Sequence, residues 1–150
     1  MSRVTMIQPI NIPISDRERT RTWYEQVLGA EFLDRGPERN RRQLQWRIGS
    51  GAMHTTDTAT PTPSGHFAVE IHDWEGMIAN LDAPGVPYPP PTIRAYSGGH
   101  STAMQDPDGN TIELGQHPLG LPDCQGDPVA LVHDPKSLTW VRLPGYSPAT

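Results

Sequence analysis

The chain has 150 residues, 35% of them hydrophobic and 19% charged, with a formal net charge of −5. This length suits one domain or two small modules that share a core. The sequence has no basic stripe for a nucleic acid and no apolar run long enough to span a membrane. Cys124 is the one cysteine, which excludes an internal disulfide, and the N-terminus lacks the apolar segment of a signal peptide. These features predict a cytoplasmic protein.

The first predicted element is a strand followed at once by a helix. In "PINIPISD" (9–16) isoleucines alternate with prolines and an asparagine, which is the period of a strand with one buried face. Ser15 and Asp16 are both suitable N-caps for the helix that follows. We therefore predict a strand over 4–14 and a helix over 17–28.

The same plan recurs in the middle of the chain. "HFAVEIHD" (66–73) alternates in the same way, and a second helical pattern follows and ends near Pro84. The first copy ends in Asp16 and the second in Asp73, an offset of 57 residues. Weaker strand signals follow each helix. They lie at 30–35, 43–49 and 51–57 in the first half, and at about 86–95, 101–106 and 110–115 in the second half.

This repetition predicts an α+β domain over residues 1–115, built from two copies of a βαβββ unit. The two modules cover about 4–57 and 65–115, and neither would bury its helix and sheet well alone. Residues 116–150 contain six prolines and are predicted to be a Pro-rich C-terminal extension. Within it, "SLTWVRL" (137–143) has the composition of a strand.

The duplication brings three polar residues to comparable places on the end strands. His66 precedes the first buried residue of its strand, and His54 lies in the last strand of the first half. Glu113 alternates with Ile112 and Leu114 in the last strand of the second half. Two imidazoles and a carboxylate suit divalent Fe, Mn, Ni, Co or Zn. His66 and His54 each have a simpler interpretation as a polar residue at a strand start or on the surface, whereas Glu113 lies in an otherwise apolar strand.

A resemblance to a known family rests on three segments, "INIPISDRERTRTWYEQVLGAEF" (10–32), "HFAVEIHD" (66–73) and "DPDGNTIEL" (106–114). Together they resemble the vicinal oxygen chelate superfamily, which includes glyoxalase I, bleomycin-resistance proteins, extradiol dioxygenases and fosfomycin-modifying enzymes. The resemblance covers roughly residues 4–115. It implies that the paired βαβββ modules form a partly open, barrel-like cavity, and it implies a homodimer.

The resemblance also implies metal ligands on the first and last strands of each module. Those positions are Pro9, His54, His66 and Glu113 in this sequence, and Pro9 cannot bind a metal. We therefore expect His54, His66 and Glu113 to hold the divalent metal and Glu113 to be the catalytic residue. Without a metal, Glu113 would act as a general base.

Four further residues are candidates for contact with a substrate. Glu70 shares a strand face with His66, and Asn11 lies on the polar face of the first strand. Tyr96 and His100 lie shortly before the strand predicted at 101–106. For these residues a solvated strand end or a loop role is the simpler interpretation.

Two functions follow from these features. The first is a small-molecule enzyme of the glyoxalase or dioxygenase type, with lyase, isomerase or oxygenase chemistry on a substrate that chelates the metal through vicinal oxygens. The alternative is a metal-free protein that binds a small molecule or antibiotic, as bleomycin-resistance proteins do. In both cases the partner is a small molecule rather than a nucleic acid or a membrane.

Overall fold

A computed structural model describes residues 9–49, 51–63, 65–93, 99–116, 131–134 and 139–142. No helix in this described part is long and apolar enough to cross a membrane. The described elements, in chain order, are β1 (Ile10–Ile14), α1 (Arg17–Leu28), β2 (Glu31–Phe32), α2 (Pro37–Arg42), β3 (Gln45–Ile48), β4 (Gly51–Asp57), β5 (His66–Glu70), α3 (Trp74–Asp82), β6 (Thr92–Ile93), β7 (His100–Gln105), β8 (Thr111–Gly115), β9 (Leu131–Asp134) and β10 (Thr139–Arg142).

The first eight strands form two mixed sheets that have the same strand order. One sheet runs β1-β4-β3-β2 and the other runs β5-β8-β7-β6. In each sheet the first and last strands of the repeat pair in parallel, and the remaining neighbours pair antiparallel. This identical order confirms the predicted α+β fold of two βαβββ units. Strands β9 and β10 form a separate antiparallel pair, and β10 lies within the strand predicted at 137–143.

Each long helix begins where a carboxylate caps it. The side chain of Asp16 accepts a hydrogen bond from the backbone N–H of Arg19 at 2.9 Å, and Asp73 accepts one from Gly76 at 2.9 Å. Such caps satisfy backbone donors that have no partner within the helix. Helix α1 ends at Gly29, whose φ of 61° is a left-handed conformation that glycine adopts without steric cost.

Some elements differ from the sequence prediction. Helix α2 was not expected, because it buries none of its residues and so lacks the apolar period of a packed helix. Strands β2 and β6 have two residues each, which is shorter than the predicted 30–35 and 86–95. Strand β1 begins at Ile10, and the predicted start at residues 4–8 lies outside the described residues.

The hydrophobic core lies between the helices and one face of each sheet. On β1, Ile12 and Ile14 are buried whereas Asn11 is exposed, as the period-two pattern predicts. The opposite face of each sheet therefore presents the polar residues. The largest fully buried side chains are Trp46, Tyr24, Ile14, Met53, Leu81, Ile112 and Leu114.

The turn between β7 and β8 closes one junction between the two repeats. Tyr24 Oη donates a hydrogen bond to Asp106 Oδ2 at 2.9 Å, and both groups are buried. Asn110 Nδ2 donates to the backbone oxygen of Pro13 at 3.0 Å. The backbone N–H of Asn110 also donates to Asp106 Oδ1 at 2.8 Å, so the turn is held rigid while it contacts the first repeat.

Asp108 extends the same junction to the start of α1. Its Oδ1 accepts hydrogen bonds from Ser15 Oγ and from Arg19 Nη2, both at 2.6 Å. The Asp108 side chain is only 3% exposed although Arg19 is 45% exposed. We call this set the closed junction, and its members are Asp106, Asp108 and Asn110 together with Pro13, Ser15, Arg19 and Tyr24.

Candidate functional site

A row of polar side chains crosses the first sheet on the face away from the helices. The parallel register places Asn11 beside His54, and the antiparallel register places Gln45 on the other side of His54. Paired residues on neighbouring strands point to the same face. Asn11 Nδ2 also donates a hydrogen bond to Thr56 Oγ1 at 2.7 Å. The row therefore combines amide and imidazole groups on one surface.

His54 is the titratable member of this row. Its partial burial lowers the pKa of the imidazole below the ordinary value of 6.5, and the positive charge of Arg35 lowers it further. Arg35 Nη1 is fixed nearby by a hydrogen bond of 2.7 Å to Gln45 Oε1. The His54 ring is therefore neutral at pH 7, and one ring nitrogen carries a lone pair that can accept a proton or bind a metal.

His66 and Glu113 form a pair on the second sheet. The register places His66 opposite Thr111 and Glu113 opposite Ala68, so the two polar side chains share a face and are diagonal neighbours. His66 Nε2 lies 3.9 Å from Glu113 Oε2. The side chain of Glu113 is 34% exposed and that of His66 is 62% exposed. The carboxylate is thus partly withdrawn from water, while the imidazole lies nearer to solvent.

The predicted three-residue metal site is not assembled in the described part of the chain. His66 and Glu113 lie together on the second sheet, but His54 lies on β4 of the first sheet. The described residues contain no group of three or more His, Cys, Asp or Glu side chains that could hold a metal ion. Pro9, at the remaining implied ligand position, is exposed and has no side-chain donor atom. Two of the three expected ligands are therefore adjacent.

The four candidate substrate contacts lie in different surroundings. Asn11 lies in the polar row beside His54, and Glu70 lines a cavity between the repeats. His100 stacks on the Trp74 ring with centroids 5.2 Å apart, and its position on β7 gives it the face opposite to that of Glu113. Tyr96 lies outside the described residues.

A cavity lies between the two repeats, as the resemblance implies, and among its described lining residues only Glu70 was a candidate substrate contact. It has a volume of about 490 Å³ and is bounded by both repeats. Residues 67–72 of the lining are continuous in the sequence, so the period-two pattern of a strand does not mark them as the wall of an open space. The lining residues are Ile10, Leu28, Ile48, Gly49, Gly51, Ala52, Met53, Phe67, Ala68, Val69, Glu70, Ile71, His72 and Met77.

Several solved structures have the same fold at low sequence identity. A glyoxalase family protein from Bacillus anthracis is 18% identical with a TM-score of 0.67, and the match covers 78% of this chain and 98% of that chain. The fosfomycin resistance protein FosX from Listeria monocytogenes is 16% identical, with a TM-score of 0.62 and coverage of 76% and 94%. Lactoylglutathione lyase from Agrobacterium tumefaciens is 17% identical, with a TM-score of 0.62 and coverage of 77% and 96%.

Sequence comparison assigns the family. No curated protein matches the chain. The family model described as "Glyoxalase/Bleomycin resistance protein/Dioxygenase superfamily" matches residues 6–114, a range that includes both repeats. Members of this superfamily bind small-molecule substrates, commonly use a divalent metal and often form dimers. The chain therefore belongs to the glyoxalase/bleomycin resistance protein/dioxygenase superfamily.

Proposed function

We propose that this chain is a small-molecule enzyme whose reactive group is the carboxylate of Glu113. The observation that carries the proposal is the pairing of Glu113 with His66 at 3.9 Å on the polar face of the second sheet. A carboxylate that is partly withdrawn from water and lies beside an imidazole is a suitable proton acceptor. The superfamily context supports lyase or isomerase chemistry, and oxygenase chemistry in a metal-bound form, on a compound with adjacent oxygens.

In this mechanism Glu113 removes a proton from a carbon next to a carbonyl group. The proton moves to a carboxylate oxygen of Glu113, and the electron pair passes to the carbonyl oxygen. His66 lies close enough to orient the carboxylate, and its exposed ring can donate a hydrogen bond to the oxygen that becomes negative. Proton return from Glu113 to the former carbonyl carbon, with transfer of the proton of the hydroxyl on the first carbon to the former carbonyl oxygen, would complete an isomerisation.

The metal-dependent form of this proposal uses His54, His66 and Glu113 as ligands of divalent Fe, Mn, Ni, Co or Zn. Such an ion would polarise the substrate oxygens. The described residues do not fit this form well, because no group of three or more of their His, Cys, Asp or Glu side chains could hold a metal ion. The proton-transfer steps above are accordingly assigned to the side chains alone.

Metal analysis separates the two forms. Protein purified without chelators should be assayed for bound metal before and after incubation with each divalent ion. The metal-dependent form predicts near-stoichiometric metal that falls when His66→Ala or Glu113→Ala is introduced. Protein that binds no ion under any of these conditions would contradict it.

Deuterium exchange tests the role of Glu113. A panel of compounds with vicinal oxygens, including hemithioacetals of α-ketoaldehydes, is incubated with the protein in D₂O and examined by NMR. We expect deuterium to enter the carbon next to the carbonyl, and we expect Glu113→Gln to abolish the exchange. Glu31→Gln is the matched control, since Glu31 is 64% exposed and pairs with Arg47 on the surface. Exchange that persists in Glu113→Gln would overturn the proposal.

A metal-free binding protein is the second candidate function. The cavity between the repeats and the missing ligand at Pro9 favour it. In this case the chain would hold a small molecule or antibiotic without changing it, with Asn11, Glu70, Tyr96 and His100 as candidate contacts. Thermal-shift screening with bleomycin and fosfomycin would detect such binding as a rise in melting temperature.

Assembly and location complete the proposal. We propose a homodimer in the cytoplasm, supported by the dimers that superfamily members often form. Gel filtration with light scattering would test this, since a homodimer predicts a mass twice the 16.6 kDa of the chain.

A further inference from the structure

The two repeats meet at two junctions that the repetition makes equivalent. Asp16 and Asp73 cap equivalent helices, so the residues around them can be compared directly. In the closed junction the residues at the start of α1 contact the β7–β8 turn. Three of the residues that contact the turn have counterparts that line the cavity. The pairs are Pro13 and Glu70, Ser15 and His72, and Thr20, whose Oγ1 lies 3.5 Å from Asp108 Oδ2, and Met77. The counterparts of Arg19 and Tyr24 are Gly76 and Leu81, which are not among the described lining residues.

The β3–β4 hairpin, on the other side of the cavity, is shorter than its counterpart, the β7–β8 turn. Residues 106–110 separate β7 from β8, whereas β3 ends at Ile48 and β4 already begins at Gly51. The longer turn carries aspartate and asparagine side chains that reach across to the first repeat. The shorter hairpin has Gly49 and Gly51, which have no side chain to reach across. We call this unfilled counterpart the open junction, and its lining residues are those of the cavity described above.

We propose that the open junction is a binding site for a small, largely apolar molecule whose polar end is an amine. Its volume of about 490 Å³ is within the range of about 300–1,000 Å³ that small-molecule sites have. This inference adds a ligand class to the proposed function. It rests on that function in one respect, namely that the partner of the chain is a small molecule. At the closed junction, side chains of the protein itself fill the equivalent space, so the open junction is a space that the fold could have filled.

The walls of the open junction are mostly apolar, which favours a largely apolar ligand. Leu28 and Ile48 come from the first repeat, and Phe67, Val69 and Met77 come from the second. These side chains are all partly buried against the core, so a ligand would cover apolar surface that the fold leaves incompletely packed. Burial of such surface favours binding in proportion to its area.

The polar side chains among the described lining residues favour an amine as the polar end of the ligand. They are Glu70, which is half-buried, and His72, which is exposed. A carboxylate beside apolar walls accepts a charge-assisted hydrogen bond from an ammonium group, and it repels an anionic ligand. Glu70 lies on β5, whose other end carries His66, and β8 with Glu113 pairs with this strand, so a bound amine would lie at the far end of the strand from His66.

Fluorescence titration with N-phenylnaphthylamine tests the site, because this apolar arylamine emits strongly when it leaves water. The full chain should bind the probe saturably. We expect Met77→Trp, which fills the cavity from α3, to weaken binding at least about tenfold, as the loss of a ligand-sized space requires. Ala79→Trp is the matched control, since Ala79 is an exposed residue of the same helix, and it should bind the probe like the unmodified chain.

A second variant keeps the test decisive if Met77→Trp does not fold. Gly51→Leu fills the cavity from the opposite wall, and a Cβ at Gly51 would meet only the Ile48 oxygen at an ordinary distance of 3.5 Å. Saturable binding that both filled variants weaken supports the proposal. Unsaturable binding by the unmodified chain, or full affinity in a folded filled variant, overturns it.

Two further measurements separate this site from the proposed function and test its polar end. Glu113→Gln should bind the probe normally, and a loss there would place the probe at the His66–Glu113 pair and overturn the assignment. Naphthylethylamine should displace the probe at a concentration about tenfold lower than naphthylacetate does, the ratio expected of one charge-assisted hydrogen bond. Glu70→Gln should remove this preference. Equal or reversed displacement in the unmodified chain would overturn the amine assignment.

Discussion

Tyr24 illustrates how one buried hydroxyl connects the two repeats. Its ring is fully buried in the first repeat, and its hydroxyl donates to Asp106 of the second. Burial raises the pKa of Tyr24 far above its ordinary value, and the charge of Asp106 adds to the effect. The hydroxyl is therefore protonated at neutral pH and donates to Asp106.

Removal of this hydroxyl should weaken the fold. We expect Tyr24→Phe to lower the free energy of unfolding by about 1–2 kcal/mol, because Asp106 loses a buried donor but keeps those of its own turn. Tyr88→Phe is the control, since Tyr88 Oη donates to Asp82 in an exposed pair, and its loss should be below about 0.5 kcal/mol. Urea denaturation measures both variants, and equal losses would contradict this account.

His54 should make stability depend on pH. Because burial and Arg35 lower the pKa of His54 in the folded chain, the unfolded chain takes up the proton first as the pH falls below about 6.5. Stability is then lost with falling pH until the lower folded pKa is reached. Urea unfolding at pH 7.5 and 5.5 should show a smaller drop in His54→Gln than in the unmodified chain. Equal drops would show that other groups cause the dependence.

At the scale of elements, the predictions that succeeded rest on local signals. Strands β1 and β5 and helices α1 and α3 have short-range patterns, either alternation or a capping aspartate, that lie within one segment of sequence. Strands β2 and β6 depend on pairing with a neighbour, so their ends are not encoded locally. The separation of His54 from His66 and Glu113 depends on how the two sheets are placed, which no local period reports.

The β7–β8 turn should behave as an acid-sensitive element. Burial raises the pKa of Asp108, but hydrogen bonds from Ser15 and Arg19 outweigh it and hold the pKa below its ordinary value of 3.8. The stability that Asp108 contributes is therefore present above about pH 4 and is lost as the pH falls through the folded pKa.

The variant Asp108→Asn tests this element. We expect a loss of about 1–3 kcal/mol in the free energy of unfolding at pH 7, because the charged acceptor of Ser15 and Arg19 is removed. The loss should shrink as the pH falls through the folded pKa of Asp108, which lies below its ordinary value. Asp57→Asn breaks an ion pair with Arg17 that is 33% and 45% exposed, so it should cost no more than about 1 kcal/mol. A larger loss in Asp57→Asn would contradict the importance of burial at Asp108.

At the scale of the whole molecule, the two repeats should fold as one cooperative unit. The closed junction hydrogen-bonds them, and Asn80 Nδ2 of α3 donates to the backbone oxygen of Val27 in α1 at 3.4 Å. We therefore expect a fragment of residues 1–63 to lack a cooperative unfolding transition, because the Tyr24 hydroxyl would lose Asp106 and α1 would lose its contact with α3. Circular dichroism during heating measures this, and a sharp transition in the fragment would contradict it.

The unequal turns of the two repeats imply that one turn stabilises the contact between the repeats and the other borders the ligand cavity. The β7–β8 turn supplies hydrogen bonds that join the two repeats. The β3–β4 hairpin is not needed for these bonds, so it can change in length and composition with little loss of stability. Substitutions around residues 48–51 should then alter what the protein accommodates while its melting temperature changes little. Substitutions at residues 48–51 would therefore be the first choice for changing which small molecule the protein binds.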